Sequence, residues 1–166
     1  MYAQRATLTN IQPNPFTIPR NYGFDTAAEE AAAHFPKEIE GKIVLVTGCS
    51  LGGLGAECCR AIAKHKPGLL ILTGRRQEAL TKTIEKIKPE SVDAILRSLT
   101  LDLASLDSVR GAAEEVNGYK EHIDVLINNA AVYATKYETT KNDFGLQFGT
   151  NHLGYFWLTN LIMVQN

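Results

Sequence analysis

The stretch Val44-Leu45-Val46-Thr47-Gly48-Cys49-Ser50-Leu51-Gly52-Gly53-Leu54-Gly55 decides how the rest of the chain is read. The run 43–47 is apolar on both faces, as a parallel strand buried between two helical layers must be. Gly48, Gly52, Gly53 and Gly55 then supply a glycine-rich turn into a helix. Such a turn meets three physical needs at once: a tight bend, close backbone approach to a pyrophosphate, and helix N-terminal N–H groups presented to that anion. An ordinary tight turn without a ligand is the competing reading, and glycine content alone does not exclude it. Its position, after a buried strand and opening a helix, favours the nucleotide.

Working outward, short apolar runs alternate with helical periodicity. Segments 43–47, 69–73, 94–101 and 123–128 read as strands. Segments 53–66, 77–88, 106–117 and 142–164 read as helices. That alternation predicts an α/β fold, a doubly wound parallel sheet with helices on both faces, joined by right-handed crossovers. Four strands wound this way place strand one beside strand four, with the cofactor crevice at the reversal. One flank of the sheet is left open, so the Rossmann fold is expected to be incomplete on its C-terminal side, and an uncovered apolar edge is an aggregation hazard. Residues 1–40 hold four of the six prolines, Pro13, Pro15, Pro19 and Pro36, and lack a strand pattern. They read as a leader with one short helix at 26–34, ahead of a dinucleotide-binding domain at 41–166.

Composition narrows the partners. The chain is 45% hydrophobic and 21% charged with a formal net charge of −1, and no block of like charge occurs. It is one domain's worth of sequence, and nothing in its charge invites nucleic acid or an anionic membrane. Apolar runs such as Leu69 to Leu72 fall far short of the ~20 residues of a membrane span. A soluble, cytoplasmic protein is the expectation. Cys49, Cys58 and Cys59 crowd one stretch without zinc spacing, and read as reduced, partly buried thiols. No metal site is expected.

The second strand is followed by Thr73-Gly74-Arg75-Arg76. A fold that prefers NAD usually carries an acid here for the ribose 2′-hydroxyl. Two guanidinium groups and no acid favour NADP(H) over NAD(H), because a guanidinium pairs with a phosphate bidentately. The plainer alternative, stronger for Arg76 than for Arg75, is an arginine that solvates the strand end. Asp102 and Leu103, closing strand three, are candidates for the adenine. A strand-end aspartate is also commonly a helix cap, and Ser105 makes that reading credible.

Thr47-Gly48, Gly53-Leu54-Gly55, Leu101-Asp102-Leu103, Asn128-Asn129-Ala130-Ala131 and Thr150-Asn151-His152-Leu153-Gly154 follow one another in the order and spacing of the short-chain dehydrogenase/reductase family. The chain resembles that family over almost its whole length, but only the first half or so of a member. The likeness is to the retinol-dehydrogenase-like and WW-domain-oxidoreductase-like branch, and Phe16-Thr17-Ile18-Pro19-Arg20-Asn21-Tyr22-Gly23-Phe24-Asp25 looks like its fungal members. The resemblance implies reversible hydride transfer between a nicotinamide and a small apolar carbonyl or alcohol. Thr47, Gly48, Ser50, Gly52, Gly53, Leu54 and Gly55 would form the diphosphate loop. Arg75, with Arg76, would select the 2′-phosphate, and Asp102 and Leu103 would touch adenine. Asn128, Ala130 and Ala131 would line the ribose, and Asn151 matches the asparagine that orders the proton-relay water. Two departures stand out. The glycine loop carries one residue more than Thr-Gly-x-x-x-Gly-x-Gly, so Gly52 and Gly53 compete for the middle glycine, and Ala131 stands where the family has glycine.

The family's serine and Tyr-x-x-x-Lys lie on a later strand and helix, so a truncated form, inactive alone, is expected. Tyr137-Glu138-Thr139-Thr140-Lys141 matches the spacing but sits in a polar connection, the wrong context for proton transfer. Tyr133 and Tyr137 read as loop residues near a substrate entrance. His152 reads as a packing or partly exposed histidine rather than an acid–base group. Tyr155-Phe156-Trp157 reads as packing helix 151–164 onto the sheet or onto a second subunit of a homodimer. A catalytically inactive dinucleotide- or partner-binding protein, or a non-functional relic, are the competing readings.

Overall fold

The computed structural model describes residues 22–133 and 136–163. Most of the leader, including Phe16 to Asn21, and the helix end at Val164 lie outside the described residues. Four strands form one sheet: β1 (Ile43–Val46), β2 (Leu69–Gly74), β3 (Leu96–Thr100) and β4 (Val125–Ile127). Their order is β3-β2-β1-β4, and every pairing is parallel. The chain walks outward from β1 through β2 to β3, then returns to place β4 on the other side of β1. Val46 is in register with both Leu72 and Ile127. The carboxyl ends of three strands therefore open together at the reversal point, where α/β sheets hold their ligands.

Strand alternation sorts the core into two layers. Val44, Val46, Leu70 and Leu72 face one side and pack with Cys49, Cys59, Leu80 and Ile87. These partners come from the glycine turn and from α3 (Leu54–Ala63) and α4 (Gln77–Ile87). Leu45, Leu69 and Ile71 face the other side and pack with Val109, Val116, Leu158 and Ile162, from α5 (Leu106–Asn117) and α7 (Gly154–Met163). Both faces are covered, which explains why β1 and β2 read as unbroken apolar runs. β4 is less protected: Val125 is 40% exposed at the sheet edge. Its start is fixed by Asp124, whose carboxylate accepts from the Ile43 amide at 2.8 Å and pairs with Lys42 at 3.0 Å.

Two expectations need correction. The segment 26–34 gives a shorter α1 (Ala28–Ala33), and a separate α2 (Pro36–Ile39) follows, with Pro36 in the first turn where its missing N–H costs nothing. The single helix at 142–164 is broken. The Thr140 hydroxyl accepts from the amides of Asn142 and Phe144, and Asp143 takes a left-handed φ of 61°. That closed turn delays the helix to α6 (Leu146–Phe148). A π-type segment, Gly149–Leu153, precedes α7. Gly154 permits the approach of α7 to the sheet, since a Cβ there would lie 2.4 Å from the Leu103 carbonyl oxygen.

Candidate functional site

The site begins with one threonine. Thr47 follows β1 fully buried, and its hydroxyl oxygen accepts the amides of Asn129 at 2.9 Å and Ala130 at 3.1 Å. Its own proton is shared between the Ile127 carbonyl at 3.2 Å and the Tyr155 hydroxyl at 3.0 Å. Tyr155 in turn donates to the Ala130 carbonyl. Burial pushes the Tyr155 phenol up, so it holds its proton and acts as a strut between α7 and the end of β4. This strut joins Leu158 and Ile162 in bringing α7 to the sheet; Phe156 and Trp157 are more exposed, at 56% and 37%.

Asn129 fastens the glycine turn from the other side, donating from Nδ2 to the Thr47 carbonyl at 2.7 Å and the Gly48 carbonyl at 3.4 Å. Gly48 has φ of 75°, and a Cβ there would sit 2.8 Å from Ala130 Cα. At Gly55 a Cβ would sit 2.5 Å from Asn129 Nδ2 and 2.6 Å from the Gly48 oxygen. The turn and the first turn of α3 are thus pressed against the end of β4, where only glycine fits. Gly53 is the residue that enters α3, with no side-chain cap on the helix amides. Gly52 is under no such pressure: its φ is 82° and a Cβ would meet nothing within 4 Å. The unsatisfied first-turn N–H groups of α3 suit an anion.

A cleft of about 410 Å³ opens over these strand ends. Of the residues singled out from sequence, Thr47, Gly48, Ser50, Leu54, Arg75, Asp102, Leu103, Ala130 and Ala131 line it. Gly52, Gly53, Gly55, Arg76, Asn128 and Asn151 do not. Gly52 and Gly53 line a second cleft behind the turn, Gly55 lies buried beneath it, and Arg76 precedes the first turn of α4. Asn128 is exposed. Asn151 spends both ends of its amide on Val132, accepting its N–H at 2.9 Å and donating to its C=O at 2.8 Å. It fastens the π-type segment to the loop after β4, a place where such segments recur in functional sites.

Asp102 accepts the Ala104 amide at 3.0 Å, while Ser105 caps α5. Arg75 is exposed at the rim, and among the described residues it makes no ion pair. Ala131 does not have a positive φ, so its methyl group is carried without backbone strain. Tyr137 is 92% exposed and lines a shallow depression with Lys136 and Phe148, apart from the cleft. His152 is exposed and stacks on Phe148 at 5.2 Å.

Sequence reasoning passed over Asn129, Thr73 and Thr150. All three line the cleft; each stands within a motif quoted from the sequence, but was given no role there. Thr73 and Thr150 are buried, and their hydroxyls have no hydrogen-bond partner among the described residues. Buried hydroxyls without partners are rare. Two on one cleft, beside a turn that a Cβ would fill and the amides of a helix start, fit a polar, phosphate-bearing ligand such as a nicotinamide dinucleotide.

The chain is similar to oxidoreductases in both sequence and fold. Retinol dehydrogenase 13 of Mus musculus is 41% identical over 125 residues, which is 75% of this chain and 37% of that protein. Oxidoreductase fscI of Fusarium equiseti is 36% identical over 141 residues, 84% of this chain and 55% of that one. The structure of L-sorbose reductase from Gluconobacter frateurii, complexed with NADPH and L-sorbose, superposes with a TM-score of 0.64 at 20% identity over 76% of this chain and 48% of that chain, a likeness of fold. The chain spans about two fifths to a half of the length of the relatives it matches. Residues 42–165 match the family model for short chain dehydrogenase, and with the parallel sheet, the glycine turn and the cleft at its reversal point, the chain belongs to the short chain dehydrogenase family.

Proposed function

We propose that residues 41–166 form the cofactor-binding half of an NADP(H)-dependent oxidoreductase, preceded by a leader at 1–40. The observation that carries this reading is Arg75: a guanidinium at the rim of the cleft, at the end of β2, with no ion-pair partner among the described residues and no acid beside it. A 2′-phosphate supplies the dianion such a group pairs with. Thr47, Gly48 and the amides opening α3 would hold the diphosphate, and Thr73 and Thr150 would donate to polar edges of the nucleotide. Asp102 and Leu103 would flank the adenine, with Ala130 and Ala131 against a ribose. The bound dinucleotide supplies or takes a hydride. For the whole protein, the reaction is carbonyl or alcohol hydride transfer on a small apolar substrate.

Turnover by this chain alone is not expected, because the one Tyr-x-x-x-Lys pattern it carries stands exposed outside the cleft. Exposed Phe156 and Trp157 support homodimerisation through 151–164. Among the described residues no helix is long and apolar enough to cross a membrane. A cytoplasmic location belongs to the proposal, from the near-neutral charge and the reduced thiols read from the sequence.

The test is a fluorescence titration of NADPH and NADH against the chain and Arg75→Ala. NADPH is expected to bind at least about tenfold tighter than NADH, the scale of one charge-assisted contact, and Arg75→Ala to remove most of that difference. Equal affinity for both nucleotides in the unmodified chain would refute the NADP preference.

A further inference from the structure

Beneath the glycine turn lies a pair of thiols that nucleotide binding does not use. Cys49 follows Gly48 in the turn, and Cys59 sits on α3; both are fully buried, with Sγ atoms 3.5 Å apart. Cys58, the third cysteine, is only half-buried and makes no such pair. Cys49 is held on three sides: its amide donates to the Thr73 carbonyl at 2.9 Å, its carbonyl accepts from the Thr83 hydroxyl at 2.8 Å, and its thiol donates to the Val46 carbonyl at 3.1 Å.

We propose that Cys49 and Cys59 form a dithiol which a peroxide oxidises to a disulfide, and that the bond deforms the glycine turn and weakens nucleotide binding; the second half rests on the nucleotide reading above. The Cys49 thiolate attacks one peroxide oxygen. An S–O bond forms, the O–O bond breaks, and the released hydroxide takes a proton and leaves as water. The Cys59 sulfur then attacks the Cys49 sulfenic acid. The S–S bond forms, the S–O bond breaks, and the second hydroxide leaves as water with the Cys59 proton. Two thiols and one hydrogen peroxide give one disulfide and two waters.

The order of attack follows from the pair. A hydrogen bond from Cys59 holds the Cys49 thiol below its ordinary value, while the Cys49 sulfur and burial together push Cys59 well up. Burial pushes Cys58 up as well, which leaves it a poorer nucleophile despite its greater exposure. Cys49 is followed directly by the exposed stretch from Ser50 to Leu54, with Leu54 83% exposed, whereas Cys59 sits in the middle of α3; local opening of that stretch is the peroxide's route in this proposal.

Bonding then requires the sulfurs to close by about 1.5 Å. The turn has little room to follow. Gly48 and Gly55 already press on Ala130 and Asn129, and the Cys49 backbone is tied to β2 and α4. The strain falls on the backbone that the diphosphate would contact.

The experiment treats the purified chain with equimolar hydrogen peroxide, alkylates remaining thiols with iodoacetamide, and maps the products by mass spectrometry beside NADPH titrations. The expected product is a Cys49–Cys59 linked peptide with Cys58 alkylated, reversed by dithiothreitol. NADPH affinity should fall by about fivefold or more, well beyond titration error. Cys58→Ser should behave as the unmodified chain, and Cys59→Ser should keep its affinity through the treatment. Three alkylated thiols, or a bond that includes Cys58, would overturn the site. A Cys49–Cys59 bond with unchanged affinity would overturn its effect on the turn. If the reduced chain fails to bind NADPH, the nucleotide reading and the affinity half fall together, while the peptide map still decides the disulfide.

Discussion

Thr150 shows how a single hydroxyl reports on the site. Its oxygen is buried on the cleft without a partner among the described residues, so Thr150→Val removes a desolvated polar group and keeps the shape. An unfolding curve should show the free variant as stable as the parent or more so, while NADPH affinity falls about fivefold, the worth of one neutral hydrogen bond. Lower stability with unchanged affinity would mark the hydroxyl as structural. The glycines divide in the same way. Gly55→Ala drives a methyl group into the Gly48 carbonyl and Asn129 and is expected to cost about 2–3 kcal/mol in denaturant unfolding, as overpacking of rigid backbone does. Gly52→Ala has open space and only a left-handed φ to bear, so about 1 kcal/mol is expected. Sequence left Gly52 and Gly53 competing for one place and could not rank the four by cost, because the difference lies in Asn129 and Ala130, more than seventy residues later, which stand against Gly48 and Gly55 but not against Gly52 or Gly53.

At the scale of elements, α1 is attached to α3 chiefly by charge. Glu29 pairs with Arg60 at 2.6 Å and Lys64 at 3.0 Å, and the same two cations meet Glu90, while Arg60 also meets Glu57. These hydrogen bonds hold Glu29, Glu57 and Glu90 below the usual carboxylate range and raise Arg60 and Lys64. A depressed carboxylate contributes stability above its unfolded pKa, near 4.3, which is lost as pH falls through the depressed value. Raised cations lose theirs only as pH rises through the raised values. Hydrogen exchange should therefore show α1 protected at neutral pH and released below about pH 4 or in molar salt, with the sheet still protected. Protection of α1 that ignores both salt and acid would mean that apolar packing holds it. The helices following β1, β2 and β3 were legible because their periodicity is local, and α5 adds a local cap in Ser105. The break at 142–164 was not, since it depends on Thr140 taking up two amides from the next turn, a choice no periodicity records.

For the whole molecule, strand order and the position of the cleft followed from the winding, because the apolar faces of β1 and β2 admit only a central place in a parallel sheet. Legibility ended where chain segments meet from a distance: Asn129 on the glycine turn, Tyr155 on Thr47, Asn151 on Val132. These contacts fix the base of the cleft, where Thr47, Gly48 and Asn129 are tied to one another, while the stretch from Ser50 to Leu54 stands exposed above it. They also separate it from the second cleft, lined by Gly52, Gly53, Arg60 and Lys86 on the far side of the same turn, which presents charges to solvent but lacks the strand ends. The central claim is that a nicotinamide dinucleotide binds at the reversal point of the sheet. The most direct measurement is an amide chemical-shift titration of the isotopically labelled chain with NADPH. Saturable shifts at Gly48, Ser50, Arg75, Asp102, Ala131 and Thr150 are the predicted result; no saturable shift, or shifts confined to Arg60, Thr83 and Lys86, would contradict it.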